Sequence, residues 1–270
     1  MAQYVECCFI VTAFPVGGHL LMTLTVFQSA PLDRPAWIDR CMASVRSWAA
    51  LQGWSYQFMG DEIFDLVAPD LRAKLRDRTP ILADLARLEL MQQHLDQEGG
   101  RALWIDADSL VLNPHWSPAL DSTASFGQEF WVQDNSGSTG WRHYQSPHNA
   151  FMSFSAGSPI LPFLRYTATN LLERVDIENL APQFVGPKLL KALHNLCPFT
   201  LHEQAGALSP ALASELATEP GTAVEYYREK GGPVLIVVNL CQSLVGSQVS
   251  AAAISDLIDQ PLRLLALSSR

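Results

Sequence analysis

Two aspartates separated by one residue interrupt an apolar stretch near the middle of the chain. Asp106 and Asp108 follow the run ALWI (102–105), and the apolar character resumes at LVL (110–112). Neighbouring carboxylates repel each other and lose hydration when buried, unless a positive charge compensates them. Mg2+ and Mn2+ do so, because they prefer carboxylate oxygen and keep coordination positions for phosphate. The spacing therefore predicts a metal site; the alternative is a turn in which Asp106 caps a loop and Asp108 is solvated.

A second pair of charged residues, Asp84 and Arg87, lies in a helical pattern that precedes the aspartates. At helical spacing the apolar residues of this pattern form one arc, made of Ile81, Leu85, Leu88, Met91 and Leu95. Asp84 falls inside the arc and Arg87 at its edge, one turn later. A carboxylate on a core-facing surface is costly unless it is paired or binds a ligand. Asp84 therefore either forms a structural ion pair with Arg87 or accepts hydrogen bonds from a sugar or base, while Arg87 orients the site or binds a phosphate.

Strands that alternate with helices are predicted to position these residues. The predicted helices are 33–52, 81–95, 159–172 and 187–196, and the predicted strands are 54–59, 102–106, 149–154 and 234–240. Segment 7–27 is predicted to form two strands rather than a membrane span, because Pro15, Gly17 and Gly18 interrupt it. The pattern indicates an α/β fold with a mostly parallel central sheet flanked by helices. In such sheets ligands bind beyond the carboxyl ends of the strands, which is where the two aspartates fall.

The composition is that of a globular enzyme with a negative net charge. The 270 residues are 48% hydrophobic and 17% charged, the formal net charge is -9 and the pI is about 5.2. This balance argues against a nucleic-acid binder, which needs a basic surface, so an anionic ligand would require local cations or a metal. Five cysteines without a CxxC pair, and an N-terminus without a basic segment, predict reduced thiols in a cytoplasmic protein.

The stretch 83–114 resembles the core signature of metal-dependent GT-A glycosyltransferases with a DxD motif. The most similar are the mannosyltransferase-like and large clostridial-toxin-like enzymes, and the strand with its motif is also similar to the galactosyl- and xylosyltransferase branch. ADLAR (83–87) matches the family's helix motif sDxxR, Gly99-Gly100 its turn, and DAD (106–108) its metal motif. The family pattern GGxYxDxD is lengthened here, since RALWI stands between the glycines and the aspartates.

Other parts of the chain, from 22 to 245, are similar to the same family and nominate donor-binding residues. TVFQSA is similar to the opening strand, which places Gln28 near the nucleotide. HNAFMSFSAGSP is similar to the strand that carries an Asn beside the donor sugar, here Asn149. FVGPKLL is similar to the TGP turn, with Val in place of Thr, and nominates Gly186.

The C-terminal part is similar to the family's HxxxSW element, with one departure. NLCQSLVG places Asn239 at the position of a metal-binding His and Ser243 at that of the Ser, beside the donor. An Asn binds Mg2+ or Mn2+ through its amide oxygen, less strongly than a His binds Mn2+. Asn239, or alternatively His202, is therefore the candidate third ligand beside Asp106 and Asp108.

The resemblance implies a GT-A-like, Rossmann-related single domain that transfers a sugar from a nucleoside-diphosphate sugar to a glycan, small-molecule or protein acceptor. Segment 22–120 would bind the donor and the metal, and segment 121–270 would face the acceptor. Relatives of this type commonly retain the anomeric configuration, and no residue stands out as an inverting base, so retention is expected.

The predicted catalytic residues are Asp106, Asp108 and Asn149, with Asp84 and Arg87 binding the donor. Asp108 would hold Mn2+ or Mg2+ directly, and Asp106 would bridge to the metal or to the ribose. The ion would stabilise the departing diphosphate as a Lewis acid.

Two other functions remain open. LWIDADSLVL is also similar to the nucleophile motif of haloacid-dehalogenase phosphohydrolases, with Asp106 as nucleophile. That class needs a later lysine and an acidic pair after a strand, whereas the strand VLIVVNL is followed by Cys241 and the only nearby lysine is Lys230. A degenerate transferase that only binds nucleotide sugar or glycan is the third possibility, and the replaced C-terminal His favours it slightly.

The segment 133–147 is rich in Gly, Ser and Asn and also contains Trp141, Arg142, His143 and Tyr144. It is predicted to form either a solvated loop or a lid and acceptor platform, since aromatic rings stack on sugars and loops carry specificity.

Overall fold

A computed structural model of the chain describes residues 23–136, 139–197, 199–245, 249–265 and 267. The first of the two strands predicted in 7–27, with its Gly-rich turn, lies outside these residues. The second is present as part of strand β1.

The centre of the protein is a six-stranded sheet in the order β2-β1-β3-β6-β5-β7. Its strands are β1 (Leu24–Ser29), β2 (Ser55–Met59), β3 (Arg101–Ile105), β5 (Ala124–Asp134), β6 (Trp141–Ser155) and β7 (Thr200–His202). β1 pairs in parallel with β2 and β3, and β5 pairs in parallel with β7, whereas β6 runs antiparallel to both β3 and β5. Five strands therefore share one direction, which confirms the mostly parallel sheet.

A second, three-stranded sheet lies against the carboxyl edge of the first. It contains β4 (Ser109–Val111), β8 (Ala205–Ala207) and β9 (Val237–Asn239), in the order β4-β9-β8. The predicted strand 234–240 is confirmed only over β9. β3 belongs to the large sheet and β4 to the small one, so residues 106–108 connect the two sheets directly.

Helices cover both faces of the large sheet because their apolar residues recur at helical spacing. They are α1 (Ala36–Leu51), a 3-10 helix (Asp61–Leu66), α2 (Pro69–Leu75), α3 (Thr79–Glu98), α4 (Ile160–Arg174), α5 (Pro187–His194), α6 (Pro210–Ala217), α7 (Thr222–Glu229), α8 (Gln242–Val245), α9 (Ala251–Asp259) and α10 (Pro261–Leu265). The four helices predicted from the sequence correspond to α1, α3, α4 and α5. Among the described residues no helix is long and apolar enough to cross a membrane.

The prediction of a loop over 133–147 is wrong. β5 and β6 form a long antiparallel hairpin, in which Asp134 pairs with Trp141 and Gln128 with Pro147. Asn135, Ser136 and Gly140 lie between the two strands, whereas Ser146 is part of β6, and the aromatic residues of β6 lie on both of its faces.

The two glycines before β3 make a tight turn that brings the end of α3 back to the sheet. Gly99 and Gly100 have φ values of 69° and 68°, in the left-handed region that favours glycine. A Cβ on Gly100 would lie 2.4 Å from the Thr23 carbonyl oxygen, whereas a Cβ on Gly99 would contact nothing within 4 Å.

Gly100→Ala is therefore expected to destabilise the protein more than Gly99→Ala. Both variants force an alanine into a strained backbone conformation, at about 1–3 kcal/mol each. Only Gly100→Ala also pushes the start of β1 away. Urea unfolding should show the larger loss for Gly100→Ala, and equal losses would contradict the close approach to Thr23.

Candidate active site

The connection between β3 and β4 is fixed on both sides by backbone hydrogen bonds. The Asp106 N–H donates to the Ala150 carbonyl on β6, and the Ser109 N–H closes a turn onto the Asp106 carbonyl. The Leu240 N–H donates to the Asp108 carbonyl from the end of β9. The two aspartates are therefore held between the large and the small sheet at the carboxyl end of β3.

Arg87 on α3 joins the buried charges behind this connection. Its Nη1 donates to Asp106 Oδ1 at 2.9 Å and to the Asn149 carbonyl at 3.0 Å, and its Nη2 lies 3.0 Å from Asp84 Oδ1. The guanidinium also lies over the Trp104 ring, with Cζ 5.1 Å from the ring centroid. The structural Asp84–Arg87 ion pair is thus present, and it extends to Asp106.

Asp84 also bonds to the residue predicted to lie beside the donor sugar. Asn149 Nδ2 donates to Asp84 Oδ1 at 2.7 Å. Burial raises the pKa of Asp84 to about 6, against the opposing effects of Arg87 and Asn149. Gly186 completes this corner, because a Cβ there would lie 2.5 Å from Asp84 Oδ2 and 2.7 Å from Asn149 Nδ2. The structure therefore brings Asp84, Arg87, Asn149 and Gly186 together.

Asp108 has neutral partners instead of a cation. Its Oδ1 accepts a hydrogen bond from Asn239 Nδ2 at 2.6 Å, and its Oδ2 accepts one from the Gln242 N–H at 2.8 Å. Burial, together with the charge of Asp106 beside it, raises the pKa of Asp108 above its usual value. This half-buried carboxylate therefore carries a negative charge that no described cation compensates through a salt bridge.

The side chain of Asn239 is oriented to hold Asp108 rather than to offer an oxygen. Its amide oxygen accepts the Cys241 N–H at 3.0 Å, while its NH2 group faces Asp108. Turning the amide over would place NH2 against an N–H donor and oxygen against a carboxylate. Cys241 itself has a left-handed φ of 49°, and this turn aims the Gln242 N–H at Asp108. Asn239 is therefore better suited to position a metal ligand than to be one.

An open cavity of about 560 Å³ lies in front of these residues. Its floor is formed by Asp84, Arg87, Asp106, Asp108 and Asn149, and Ser243 lies on its border. The two aspartates thus face one space. A second cavity, of about 220 Å³, shares Arg87, Asp106 and Asp108 with the first and extends past the carboxyl end of β1 to Ser29 and Arg34.

Two sequence-predicted residues lie away from the cavities. Gln28 is completely buried; its Nε2 donates to the Asp106 carbonyl at 3.2 Å and its Oε1 accepts from the Tyr56 hydroxyl at 3.0 Å. It can influence a bound ligand only through its hydrogen bond to Asp106. His202 on β7 is buried against Trp116 and Phe151 and does not line the cavity, so it is not placed as a third metal ligand.

Sequence reasoning missed one wall of the large cavity. This wall carries Glu129 and Trp131 from β5, Tyr144, Ser146 and His148 from β6, and Lys188 and Lys191 from α5. The alternation of Glu129 and Trp131 with the apolar Phe130 and Val132 is the signal that could have revealed it, since alternate residues of a strand share a face.

Glu129 is the carboxylate of this wall, and its pKa is shifted. Burial raises its pKa to about 7, and the Lys191 charge opposes the shift. His148 beside it is held neutral: burial lowers its pKa, its Nδ1 accepts the Ala150 N–H and its Nε2 faces the Ala205 carbonyl at 2.8 Å. The wall therefore offers a carboxylate with a high proton affinity and a lysine to any ligand in the cavity.

The aspartate pair fits a divalent cation on chemical grounds. Asp106 uses Oδ1 for Arg87 and for the Trp104 indole N–H at 2.6 Å, which leaves Oδ2 without a hydrogen-bond partner among the described residues. Within the described residues no three His, Cys, Asp or Glu side chains form a complete ligand cluster. The chain thus supplies two carboxylates, and Mg2+ or Mn2+ commonly completes its shell with phosphate and water.

Comparison with known proteins shows the fold. No family model and no curated protein matches the sequence. The crystal structure of a glycosyltransferase involved in the glycosylation of the major capsid of PBCV-1 is similar over 88% of this chain and 100% of its own, with a TM-score of 0.51 and 12% identity. Two structures of the glycosyltransferase GlyE from Streptococcus pneumoniae TIGR4, one of them the apo form, have TM-scores of 0.42 and 0.38 at 12% identity; each match covers 90% of this chain and 62% of GlyE. The first of these matches shows that the chain has the fold of a glycosyltransferase.

Removal of the Arg87 charge is expected to destabilise the protein strongly. Arg87→Met leaves two carboxylates near α3 without their cation, which typically costs about 3–5 kcal/mol. The matched control is Arg76→Met, because Arg76 pairs with Asp77 through side chains that are 80% and 83% exposed. Urea unfolding followed by circular dichroism should show a large loss for Arg87→Met alone, and similar losses in both variants would argue against the buried network.

The raised pKa of Glu129 predicts that its contribution to stability changes with pH. The folded protein holds this proton more tightly than the unfolded chain, so the contribution is largest below pH 4.5 and is lost as the pH rises to about 7. Glu129→Gln should be more stable than the native protein at pH 8, by about 2 kcal/mol, with little difference at pH 4. Urea unfolding at both pH values tests this, with Glu219→Gln, at an exposed position, as control.

Proposed function

We propose that the chain is a metal-dependent glycosyltransferase that transfers a sugar from a nucleoside-diphosphate sugar to an acceptor. The observation that carries the proposal is the pair Asp106 and Asp108, which face one cavity at the carboxyl end of β3 in a protein with a glycosyltransferase fold. Asp108 in particular is half-buried and has no cation beside it, which is costly unless the site binds one.

The two cavities suggest how the donor lies. The cavity of about 220 Å³ lies beyond the carboxyl end of β1 and beside the 3-10 helix, and it suits a nucleoside. The cavity of about 560 Å³ suits the sugar. They meet at Arg87, Asp106 and Asp108, where the diphosphate would fall. Mn2+ or Mg2+, when held there by Asp106 and Asp108, supplies Lewis-acid stabilisation of the departing diphosphate.

The remaining residues of the floor orient the donor sugar. Asp84 accepts hydrogen bonds from sugar hydroxyls, and Asn149, which bonds to Asp84, offers its amide to the same ring. Gly186 lets Asp84 and Asn149 pack against its backbone, because any side chain there would displace them. Ser243 borders the cavity and is assigned to the donor, and Gln28 supports Asp106 from behind. Asn239 holds Asp108 in place.

Several finer assignments belong to the same proposal. Retention of the anomeric configuration and a cytoplasmic location rest on the resemblance and the composition. The division into a donor half, 22–120, and an acceptor half, 121–270, rests on the resemblance; Asn149, Gly186 and Ser243, which are assigned to the donor, lie in the second segment. A glycan, small molecule or protein is the acceptor.

The alternatives have less support. A phosphohydrolase of this class would need an acidic pair directly after the late strand, whereas β9 ends at Asn239 and is followed by Leu240, Cys241 and Gln242. A protein that only binds nucleotide sugar is favoured by one observation, the amide oxygen of Asn239, which accepts the Cys241 N–H instead of facing the aspartates. Hydrolysis of a nucleotide sugar would indicate an enzyme, and its absence would indicate a protein that only binds the nucleotide sugar.

Asp108→Ala is expected to abolish Mn2+-dependent donor binding while the fold is kept. Thermal unfolding would be followed with a panel of uridine and guanosine diphosphate sugars, with and without Mn2+. A donor that binds raises the melting temperature of the native protein. The shift should vanish in Asp108→Ala and persist in Asp256→Ala, at an exposed position of α9.

Donor hydrolysis is measured alongside. Turnover of a nucleotide sugar that depends on Mn2+ and on Asp108 supports the transferase. Undiminished Mn2+-dependent turnover in Asp108→Ala would refute the assignment, and phosphatase activity on simple phosphomonoesters would support the phosphohydrolase.

A further inference from the structure

We infer that the hairpin of β5 and β6 forms an acceptor site for a sugar ring, with Trp131 as the surface on which the ring stacks and Glu129 as the residue that positions its hydroxyls. The inference rests on the proposed function and specifies its acceptor as a carbohydrate. These residues lie on the wall of the large cavity, apart from the floor assigned to the donor.

The register of the hairpin builds this wall. Glu129 pairs with Ser146 and Trp131 with Tyr144, so all four side chains point to one face and line the cavity. The residues between them, Phe130 and Val132, point to the other face and are buried in the core. The wall is therefore held rigidly from behind while its own side chains remain available to a ligand.

Two aromatic rings give the wall an apolar surface. The Trp131 and Tyr144 rings are roughly parallel, 27° apart, with their centroids separated by 6.5 Å. Tyr144 is 38% exposed, whereas Phe130 and Val132, on the opposite face of β5, are buried. The C–H face of a pyranose is attracted to the negative face of an aromatic ring and leaves its hydroxyls free at the edge. A sugar ring uses such a surface better than a serine or threonine side chain does.

The polar groups beside the rings match the edge of a sugar. Glu129 has no hydrogen-bond partner among the described residues, and Lys191 Nζ lies 5.9 Å from the Tyr144 ring centroid. A carboxylate only accepts hydrogen bonds and an ammonium only donates them, whereas a hydroxyl does both. A pair of neighbouring hydroxyls can therefore satisfy Glu129 and Lys191 at once.

This wall and the aspartate pair border the same space. Cys241 lines this space together with Asp106, Asp108 and Glu129. A ring stacked on Trp131 would consequently present a hydroxyl towards the donor sugar. Trp141 and His143 belong to the segment 133–147 but do not line the cavity. Trp141 Nε1 donates to Thr222 Oγ1, and the His143 ring stacks on Phe130.

The first experiment measures glycoside binding and needs no donor. Methyl glycosides of common hexoses, and a serine/threonine-containing peptide, would be tested by saturation-transfer NMR on the native protein, Trp131→Ala, Trp131→Phe and Glu129→Gln. We expect a glycoside to bind the native protein and Trp131→Phe. Binding should be weakened about tenfold in Trp131→Ala and in Glu129→Gln, since each loses a stacking surface or a charged hydrogen bond. Tyr166→Ala, which removes a ring that is 69% exposed on α4, is the control.

The second experiment separates this inference from the proposed function. With the donor identified by its Mn2+-dependent hydrolysis, the same glycosides should accelerate release of the nucleoside diphosphate and give a disaccharide glycoside detectable by mass spectrometry. Trp131→Ala and Glu129→Gln should keep the basal hydrolysis and lose most of the acceleration.

The outcomes are distinct. If the native protein hydrolyses no donor, the proposed function fails, and the binding experiment still decides whether the wall holds a sugar. If no glycoside binds, if the peptide alone binds, or if both variants bind and respond like the native protein, the acceptor site is refuted while the transferase assignment stands.

Discussion

One guanidinium holds the buried charges of the site in place. Arg87 contacts the carboxylates of Asp84 and Asp106 and a carbonyl of β6, so it ties α3 to the two central strands. Without it, two carboxylates would be buried close together at a sheet edge, at a cost that few proteins of this size can tolerate. The positions of Asp84, Asp106 and Asn149 all follow from this contact.

The same arrangement leaves the two aspartates of the motif unequal. Asp106 is compensated by Arg87, whereas Asp108 is bound only by Asn239 and a backbone N–H. The network therefore fixes the geometry with one aspartate and keeps the negative charge available on the other. A protein with a formal net charge of -9 can hold an anionic ligand in this way, because a cation recruited by Asp108 would reverse the local charge.

The sequence predicts the parts of the site that are set by local spacing. The two aspartates are separated by one residue in the connection between β3 and β4, and Asp84 and Arg87 lie one turn apart on α3, so the proximity within each pair follows from local geometry. The roles of Gln28 and Asn239 depend on residues distant in sequence: Tyr56 and Asp106 bond to the first, and Asp108 bonds to the second. No local pattern contains that information.

The wall of the cavity also depends on strand pairing that local sequence patterns do not contain. Its side chains face the cavity because β5 and β6 pair in one register; a shift by one residue would bury Glu129 and expose Phe130. The floor of the cavity is braced by the ion pairs of Arg87, so substitutions there would disturb folding and any binding together. The wall instead stands on a hairpin whose opposite face supplies the packing. Under the proposed function its ligand preference could change through Glu129, Trp131 or Tyr144 while the residues of the floor keep their positions, which is the physical basis for proposing acceptor choice in this part of the fold.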